Sequence, residues 1–258
     1  MRVFEAGAGE PIVLVHGYLQ SRLSWDAVGA ELARTFRVVA PDLPGFGDSE
    51  RPPPERYRYG FDAFAESVVD LAAALDLGRI VLAGYGLGAS VALTLAAEHP
   101  HLVSRLVLVS PAIYPAREPL LSHLAAAPMI GGLVLKQAYG RAIFDRHLRA
   151  HAYGGARHDP HAIAHYAAFN SPAARQAAHA TLLATRDARP LVARVPRVAA
   201  PTLVVAGRTD PAAPVAAGRR LARELARGSL EVVEHGRAPH EDDPSGTASA
   251  IAGFLRRR

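Results

Sequence analysis

A predicted strand–turn–helix around residues 80–95 could carry the chemistry of a hydrolytic enzyme. Its turn reads Gly84-Tyr85-Gly86-Leu87-Gly88. Such a turn presents a nucleophile from its central residue, and small flanking residues provide steric clearance. Here the central residue is Gly86, which has no side chain. The pattern predicts a nucleophile turn without its nucleophile, although a tight turn in which glycine only relieves backbone strain fits the same residues.

Two ionisable residues late in the chain could supply acid–base chemistry. Asp210 follows the apolar run Leu203-Val204-Val205-Ala206, and His240 lies in a loop after the last predicted strand. A carboxylate that fixes the orientation of an imidazole makes it an effective general base. The alternative is a loop carboxylate and a solvated loop histidine with no shared role.

Short apolar runs rich in β-branched residues recur along the chain and alternate with helical stretches. Runs of this kind are typical of parallel strands that are buried on both faces of a sheet. Helices are predicted over 62–75, with Asp62 as N-cap, and over 89–98. Ligands of such sheets bind beyond the carboxyl ends of the strands. The predicted strands are 12–15, 37–40, 80–83, 106–109, 203–206 and 230–233.

The segment 111–196 breaks this alternation. It contains no convincing strand, many alanines and most of the histidines. We interpret it as a helical lid on an α/β core formed by residues 1–110 and 197–258. No flexible linker flanks it, so core and lid are expected to form one structural domain.

Together with two further motifs, these residues resemble the α/β-hydrolase superfamily over essentially the full chain. The motifs are His16-Gly17-Tyr18 and the segment 41–49, which reads PDLPGFGDS. The likeness is greatest to the lid-bearing branch with a Ser or Asp nucleophile. It implies an α/β fold with a mostly parallel central sheet, helices on both faces and a helical lid after the sixth strand.

The resemblance also implies roles for single residues. Asp210 matches the acid of the catalytic triad, and His240 matches its general base. The backbone N–H groups of Tyr18 and Leu87 match the oxyanion hole, and Gly86 stands at the nucleophile position. Glycine cannot form an acyl- or alkyl-enzyme.

The resulting hypothesis is an enzyme that acts through an Asp–His dyad and the oxyanion hole without a covalent nucleophile. Its substrate is expected to be a small, largely apolar ester, lactone, epoxide or related carbonyl compound, since the predicted lid is rich in apolar residues. Two alternatives stay open. The protein is a conventional Ser or Asp hydrolase whose nucleophile has been replaced by glycine, or a non-catalytic ligand-binding member of the fold.

Three serines are candidates for a substitute nucleophile. Ser90 is expected to face the core from within a helix, and Ser21 is expected to hydrogen-bond loop backbone. Ser110 ends the strand beside the turn and is better placed, but the sequence shows no turn that would present it.

Bulk properties narrow the partners. The formal charge is +5, but the arginines are scattered and no nucleic-acid motif is present, so no nucleic-acid partner is expected. The chain has no cysteine, and no carboxylate or thiol completes a metal set with the lid histidines, so neither metal nor cofactor is expected. No signal segment or membrane-length apolar run is seen, which favours a cytoplasmic protein with a small-molecule substrate. The sequence is compatible with a homodimer.

The lid histidines are His147, His151, His158, His161 and His165, and the lid tyrosines Tyr139, Tyr153 and Tyr166 are interpreted mainly as packing residues.

Overall fold

The structure is a computed structural model, and it describes residues 1–114, 144, 160–210, 213–234, 236 and 238–257. Within this part of the chain, seven strands form one sheet in the order β1-β3-β2-β4-β5-β6-β7. All neighbouring strands are parallel except β1, which pairs antiparallel with β3. The predicted α/β class with a mostly parallel sheet is confirmed. The strands are β1 Val3–Ala6, β2 Pro11–Val15, β3 Arg37–Pro41, β4 Ile80–Tyr85, β5 Val103–Val109, β6 Thr202–Gly207 and β7 Gly228–Val233.

The central strands are buried on both faces, as their continuous apolar sequences predict. Every residue of β4 and of β6 is buried. Alternate side chains enter two separate cores: Ile80 and Leu82 join one, and Val81 and Ala83 join the other. The edge strand β7 differs, because only its last residue, Val233, is buried.

Helices cover both faces of the sheet. The helix predicted from Asp62 starts one residue earlier, with Gly60 as its N-cap. Asp62 instead lies in the first turn, where a carboxylate still interacts favourably with the helix dipole. The described α-helices are α1 Asp26–Leu32, α2 Phe61–Ala74, α3 Leu87–Glu98, α4 Pro160–Phe169, α5 Pro172–Thr185, α6 Arg189–Arg194, α7 Val215–Glu224, α8 Pro239–Asp242 and α9 Pro244–Arg256. Two 3₁₀ helices span Arg22–Trp25 and Val195–Arg197.

The predicted lid segment follows β5, which is the fifth described strand along the chain and not the sixth. Its described residues form α4, α5, α6 and the second 3₁₀ helix, with no strand among them. His147, His151, His158, Tyr139 and Tyr153 lie outside the described residues. No helix in the described ranges is long and apolar enough to cross a membrane.

The first turn of α3 approaches the sheet at backbone contact. A β-carbon added to Gly88 would lie 2.2 Å from the carbonyl oxygen of Val15, and one added to Gly84 would lie 2.2 Å from the carbonyl oxygen of Gly88. Real β-carbons do not tolerate such distances, so β2, β4 and α3 can meet only through glycine.

We therefore expect Gly88→Ala to lower the free energy of unfolding by about 3 kcal/mol or more, since the added methyl group meets rigid backbone. Gly253→Ala in α9 is the matched control, because its β-carbon has no neighbour within 4 Å. It should be neutral or stabilising by up to about 1 kcal/mol. Urea denaturation of both variants measures the difference, and equal stabilities would contradict the close approach.

Candidate functional site

The turn between β4 and α3 has the geometry of a nucleophile elbow. Gly86 adopts φ +53° and ψ −110°, and α3 begins at the next residue. Its N–H donates to the carbonyl of Val109 (3.2 Å), and its own carbonyl accepts from the N–H of Ser90 (3.1 Å). Apart from its two chain neighbours, no residue in the described part of the chain would lie within 4 Å of a β-carbon added to Gly86. Among the three glycines of the turn, the central one alone has room for a side chain. We call this open space the Gly86 hollow.

The two expected oxyanion-hole residues lie in adjacent loops. β2 and β4 pair in parallel, with Val15 opposite Gly84. Tyr18 follows Val15 by three residues, and Leu87 follows Gly84 by three residues. Leu87 is the first residue of α3, and the N–H of a first helical residue has no partner inside its helix. Leu19, next to Tyr18, has φ +60°. The tyrosine hydroxyl itself donates to the carbonyl of Ala178 in α5 (3.0 Å).

Asp210 lies where the sequence predicts it, just beyond the carboxyl end of β6. Its N–H donates to the carbonyl of Gly207 (3.2 Å), and its Oδ1 accepts from the N–H of Ala213 (3.0 Å). The residue is 5% exposed. The carboxylate is thus held in a tight turn two strands away from the elbow.

The His240 imidazole does not form the hydrogen bond to Asp210 that is expected of the dyad. Its ring is fully buried between Trp25 and Tyr85, with centroid distances of 4.5 and 4.3 Å. Neither ring nitrogen has a hydrogen-bond partner among the described residues, so the expected hydrogen bond to Asp210 is not formed.

The local fold explains why His240 and Asp210 do not form this hydrogen bond. The loop predicted after β7 becomes the short helix α8, which begins at Pro239 and packs His240 against the two aromatic rings. A carboxylate oxygen of Glu241 lies 3.7 Å from the His240 Nε2, and the same oxygen accepts from the Gln20 Nε2 (2.6 Å). A sequence motif locates His240 after a strand, but it does not reveal that the chain turns into a helix there.

Burial controls the protonation of this region. It lowers the pKa of His240 to about 3, and nearby His165 acts in the same direction. Burial also lowers the pKa of His165 to about 3, followed by the effects of His16 and His161. The pKa of Tyr85 is raised, first by burial and then by the negative charges of Asp210, Glu241 and Asp242. Both imidazoles, His165 and His240, are therefore neutral near pH 7.

Two motifs singled out in the sequence serve the scaffold around the site. The His16 Nε2 accepts from the N–H of Leu43 (3.0 Å), which leaves Nδ1 as the donor to the carbonyl of Gly17 (2.8 Å). The buried Asp42 carboxylate accepts from the N–H groups of Arg22 (2.7 Å) and Asp48 (2.9 Å). These contacts fix the loops that follow β2 and β3.

Helices of the predicted lid segment contact the core beside the site. The Ser21 hydroxyl hydrogen-bonds the His165 Nδ1 (3.1 Å), and it also accepts from the N–H of Leu23 (3.4 Å), as expected for a loop serine. Arg51 donates to the carbonyl of Ala168 near the end of α4 (3.1 Å). His165 is thus a buried site neighbour whose role the sequence did not reveal, since its pairing with His161 suggested only a surface or a metal site.

The structure also describes the candidate serine Ser90 and three residues of the predicted lid, Tyr166, His161 and His165. Ser90 is buried inside α3, as expected, and its hydroxyl donates to the carbonyl of Gly86 (3.4 Å). Tyr166 packs against the ring of Phe144, with a centroid distance of 5.3 Å. His161 and His165 have ring centroids 6.4 Å apart, and no group of three metal-ligating side chains occurs within the described ranges.

Comparison with known proteins identifies the family. Residues 10–244 match the family model described as alpha/beta hydrolase fold. The chain belongs to this family. A thermophilic esterase from Thermogutta terrifontis superposes with a TM-score of 0.83 and 27% identity, over 99% of this chain and 93% of the esterase.

Two curated relatives are also similar to this chain. An uncharacterized protein of Mycobacterium tuberculosis is 29% identical over 274 residues, which span 97% of this chain and 76% of the relative. The 2-hydroxy-6-oxo-2,4-heptadienoate hydrolase of Pseudomonas putida is 39% identical over 108 residues, which span 41% of this chain and 38% of that enzyme. The likeness to the Pseudomonas enzyme therefore covers less than half of either chain.

The two buried imidazoles predict a loss of stability in acid. Both pKa values are depressed in the folded state to about 3, while an unfolded histidine has its ordinary value of about 6.5. The unfolded chain thus binds more protons, and stability should fall as the pH drops from about 6.5 towards 3. The slope per histidine is at most about 1.4 kcal/mol per pH unit.

Denaturant unfolding between pH 7 and pH 4.5 measures this slope. The variants His165→Asn and His240→Phe should each flatten it, and the double variant should flatten it further. Carboxylates contribute equally to all these proteins and cancel in the comparison. An unchanged slope in the double variant would show that neither imidazole is held neutral by the fold.

Proposed function

We propose that this protein is a hydrolase-type enzyme that acts on a small, largely apolar ester, lactone, epoxide or related carbonyl compound without a covalent intermediate. The observation that carries the proposal is the Gly86 hollow, where the elbow has φ +53° and an added β-carbon would meet no described residue except its two chain neighbours within 4 Å. The likeness to an esterase and to a hydrolase of a small keto acid supports the reaction type.

In this proposal the substrate carbonyl lies in the Gly86 hollow. The backbone N–H groups of Leu87 and Tyr18 donate to its oxygen. Leu87 begins the twelve-residue helix α3, whose dipole favours negative charge at this end. Such preorganised donors stabilise an oxyanion more than the neutral carbonyl, which is the differential binding that catalysis requires.

His240 is the proposed general base and Asp210 its orienting carboxylate. The imidazole contacts Tyr85, the residue that precedes Gly86. Burial there lowers its pKa to about 3, so the imidazole can act as a base only after it leaves this position. Because the ring lies between Trp25 and Tyr85, the proposal includes its movement out of this space to Asp210. The imidazole then takes a proton from water as the water oxygen bonds to the carbonyl carbon, and the carbonyl oxygen becomes the oxyanion. When the oxyanion re-forms the carbonyl, the bond from carbon to the leaving oxygen breaks, and the imidazole returns the proton to that oxygen.

A second candidate is a ligand-binding protein without catalysis. It is favoured by the burial of His240 and by the missing hydrogen bond to Asp210. In that case the Gly86 hollow and the helix amides bind a carbonyl or an anionic group of a ligand, and the imidazole only packs between two rings.

Substitution of His240 separates the two candidates. His240→Phe keeps an aromatic ring between Trp25 and Tyr85 but removes the base. We expect it to fold, and to lower kcat for 4-nitrophenyl butyrate by about 10²- to 10⁴-fold, the usual contribution of a general base. His99→Ala is the control, since His99 pairs with Glu66 in α2 at a distance from the site.

Unchanged turnover by His240→Phe would contradict the role of His240 as base. Butyrate ester that is bound but never cleaved by the wild-type protein would favour the ligand-binding candidate. His240→Ala adds a test of packing, because it should destabilise the fold by removing a buried ring, whatever its effect on turnover.

Serine at position 86 tests the alternative of a conventional hydrolase that has lost its nucleophile. The hollow accepts the side chain, so Gly86→Ser should fold with a loss of about 1 kcal/mol from its left-handed backbone. We expect lower non-covalent turnover, because the new side chain fills the hollow. Stopped-flow kinetics with 4-nitrophenyl butyrate measures the first release of 4-nitrophenolate and the turnover that follows it.

A burst of one 4-nitrophenolate per active site would instead favour the conventional hydrolase, since a burst marks accumulation of an acyl-enzyme. Gly86→Asp, assayed with an epoxide, tests in the same way for an Asp nucleophile that forms an alkyl-enzyme. Gly84→Ser is the negative control for folding, because its β-carbon would collide with backbone.

A further inference from the structure

A second strand end beside the elbow carries a polar side chain. β4 and β5 pair in parallel with Tyr85 opposite Val109, so the next residues, Gly86 and Ser110, follow each other across adjacent strands. The N–H of Gly86 donates to the carbonyl of Val109 (3.2 Å), which keeps the two strand ends together. Strands in a sheet are roughly 5 Å apart, so Ser110 and Gly86 are neighbours at adjacent strand ends.

Ser110 is held in an unusual backbone conformation. Its φ is +44°, and a left-handed conformation costs a non-glycine residue about 1–2 kcal/mol. The next residue is Pro111, and residues before proline normally prefer an extended conformation. The N–H of Ser110 donates to the carbonyl of Val205 in β6 (2.8 Å), so pairing with the sheet on both sides fixes the strained position.

The strained residue Ser110 lies at a strand end between two residues of the candidate site. In the sheet order β4-β5-β6, the strand ends carry Gly86, Ser110 and Asp210 in turn. Ser110 is 4% exposed, so its polar side chain is buried at the middle one of these three strand ends. Strained residues occur preferentially at functional sites. Leu19, beside Tyr18, has a positive φ on the opposite side of the elbow.

We propose that Ser110 is a further substrate-contacting residue, whose hydroxyl donates a hydrogen bond to the group that occupies the Gly86 hollow. This inference rests on the proposed function and adds a third donor to the two backbone amides. The sequence analysis placed Ser110 beside the turn, and the structure adds its left-handed backbone conformation.

Two substitutions separate the hydroxyl from the backbone strain. Ser110→Ala removes the hydroxyl and keeps the strain, whereas Ser110→Gly removes both. We expect Ser110→Gly to have a higher Tm than Ser110→Ala, because glycine adopts positive φ without cost. We expect both to lower kcat for 4-nitrophenyl butyrate by at least tenfold. Ser104→Ala, at the opposite end of β5, is the control and should keep wild-type kcat.

Wild-type kcat in either Ser110 variant would overturn the inference. If the wild-type protein does not cleave the ester, the proposed enzymatic function fails for this probe, and binding of butylphosphonate, a tetrahedral anion, decides the role of Ser110. Binding by the wild-type protein that weakens at least tenfold in both variants supports the contact. Equal binding by wild type and variants, or no binding by any of them, overturns it.

Discussion

The contact of α3 with the sheet at backbone distance is the constraint on which the rest of the structure depends. Val15 in β2, Gly84 in β4 and Gly88 in α3 meet with no space for a β-carbon. This approach forces the sharp turn at Gly86 and places the first N–H groups of α3 beside the loop after β2. The direction of the α3 dipole and the open space at Gly86 both follow from one glycine-mediated contact.

The same contact explains how the elbow forms around a glycine at its centre. Gly84 and Gly88 are required by sterics, whereas a β-carbon at Gly86 would meet no described residue beyond its two chain neighbours within 4 Å. The elbow therefore does not need a side chain at its centre in order to fold. This open position is the basis of the non-covalent chemistry proposed above.

Around the hollow, the protein keeps polar groups buried and neutral. His240 lies between two rings without a hydrogen bond, and His165 reaches from α4 to Ser21 with its Nε2 unpartnered among the described residues. Desolvation of an imidazole disfavours its charged form, so this arrangement depends on pH. His165 also joins α4 of the predicted lid segment to the loop after β2 through Ser21.

The sequence by itself determined the fold class, the order of the strands along the chain, the elbow and the location of Asp210 beyond a strand end. Apolar runs bounded by glycine and proline are local signals, and the parallel sheet follows from them. Only the tertiary structure decided the surroundings of His240, the strain at Ser110 and the burial of His165. Each depends on which chain segments meet in space: α8 against Trp25 and Tyr85, β5 between β4 and β6, and α4 against the loop after β2. The tertiary contacts of a side chain produce no periodic pattern in the sequence. The residue type therefore indicated possible chemistry, but it could not give the geometry of the side chain.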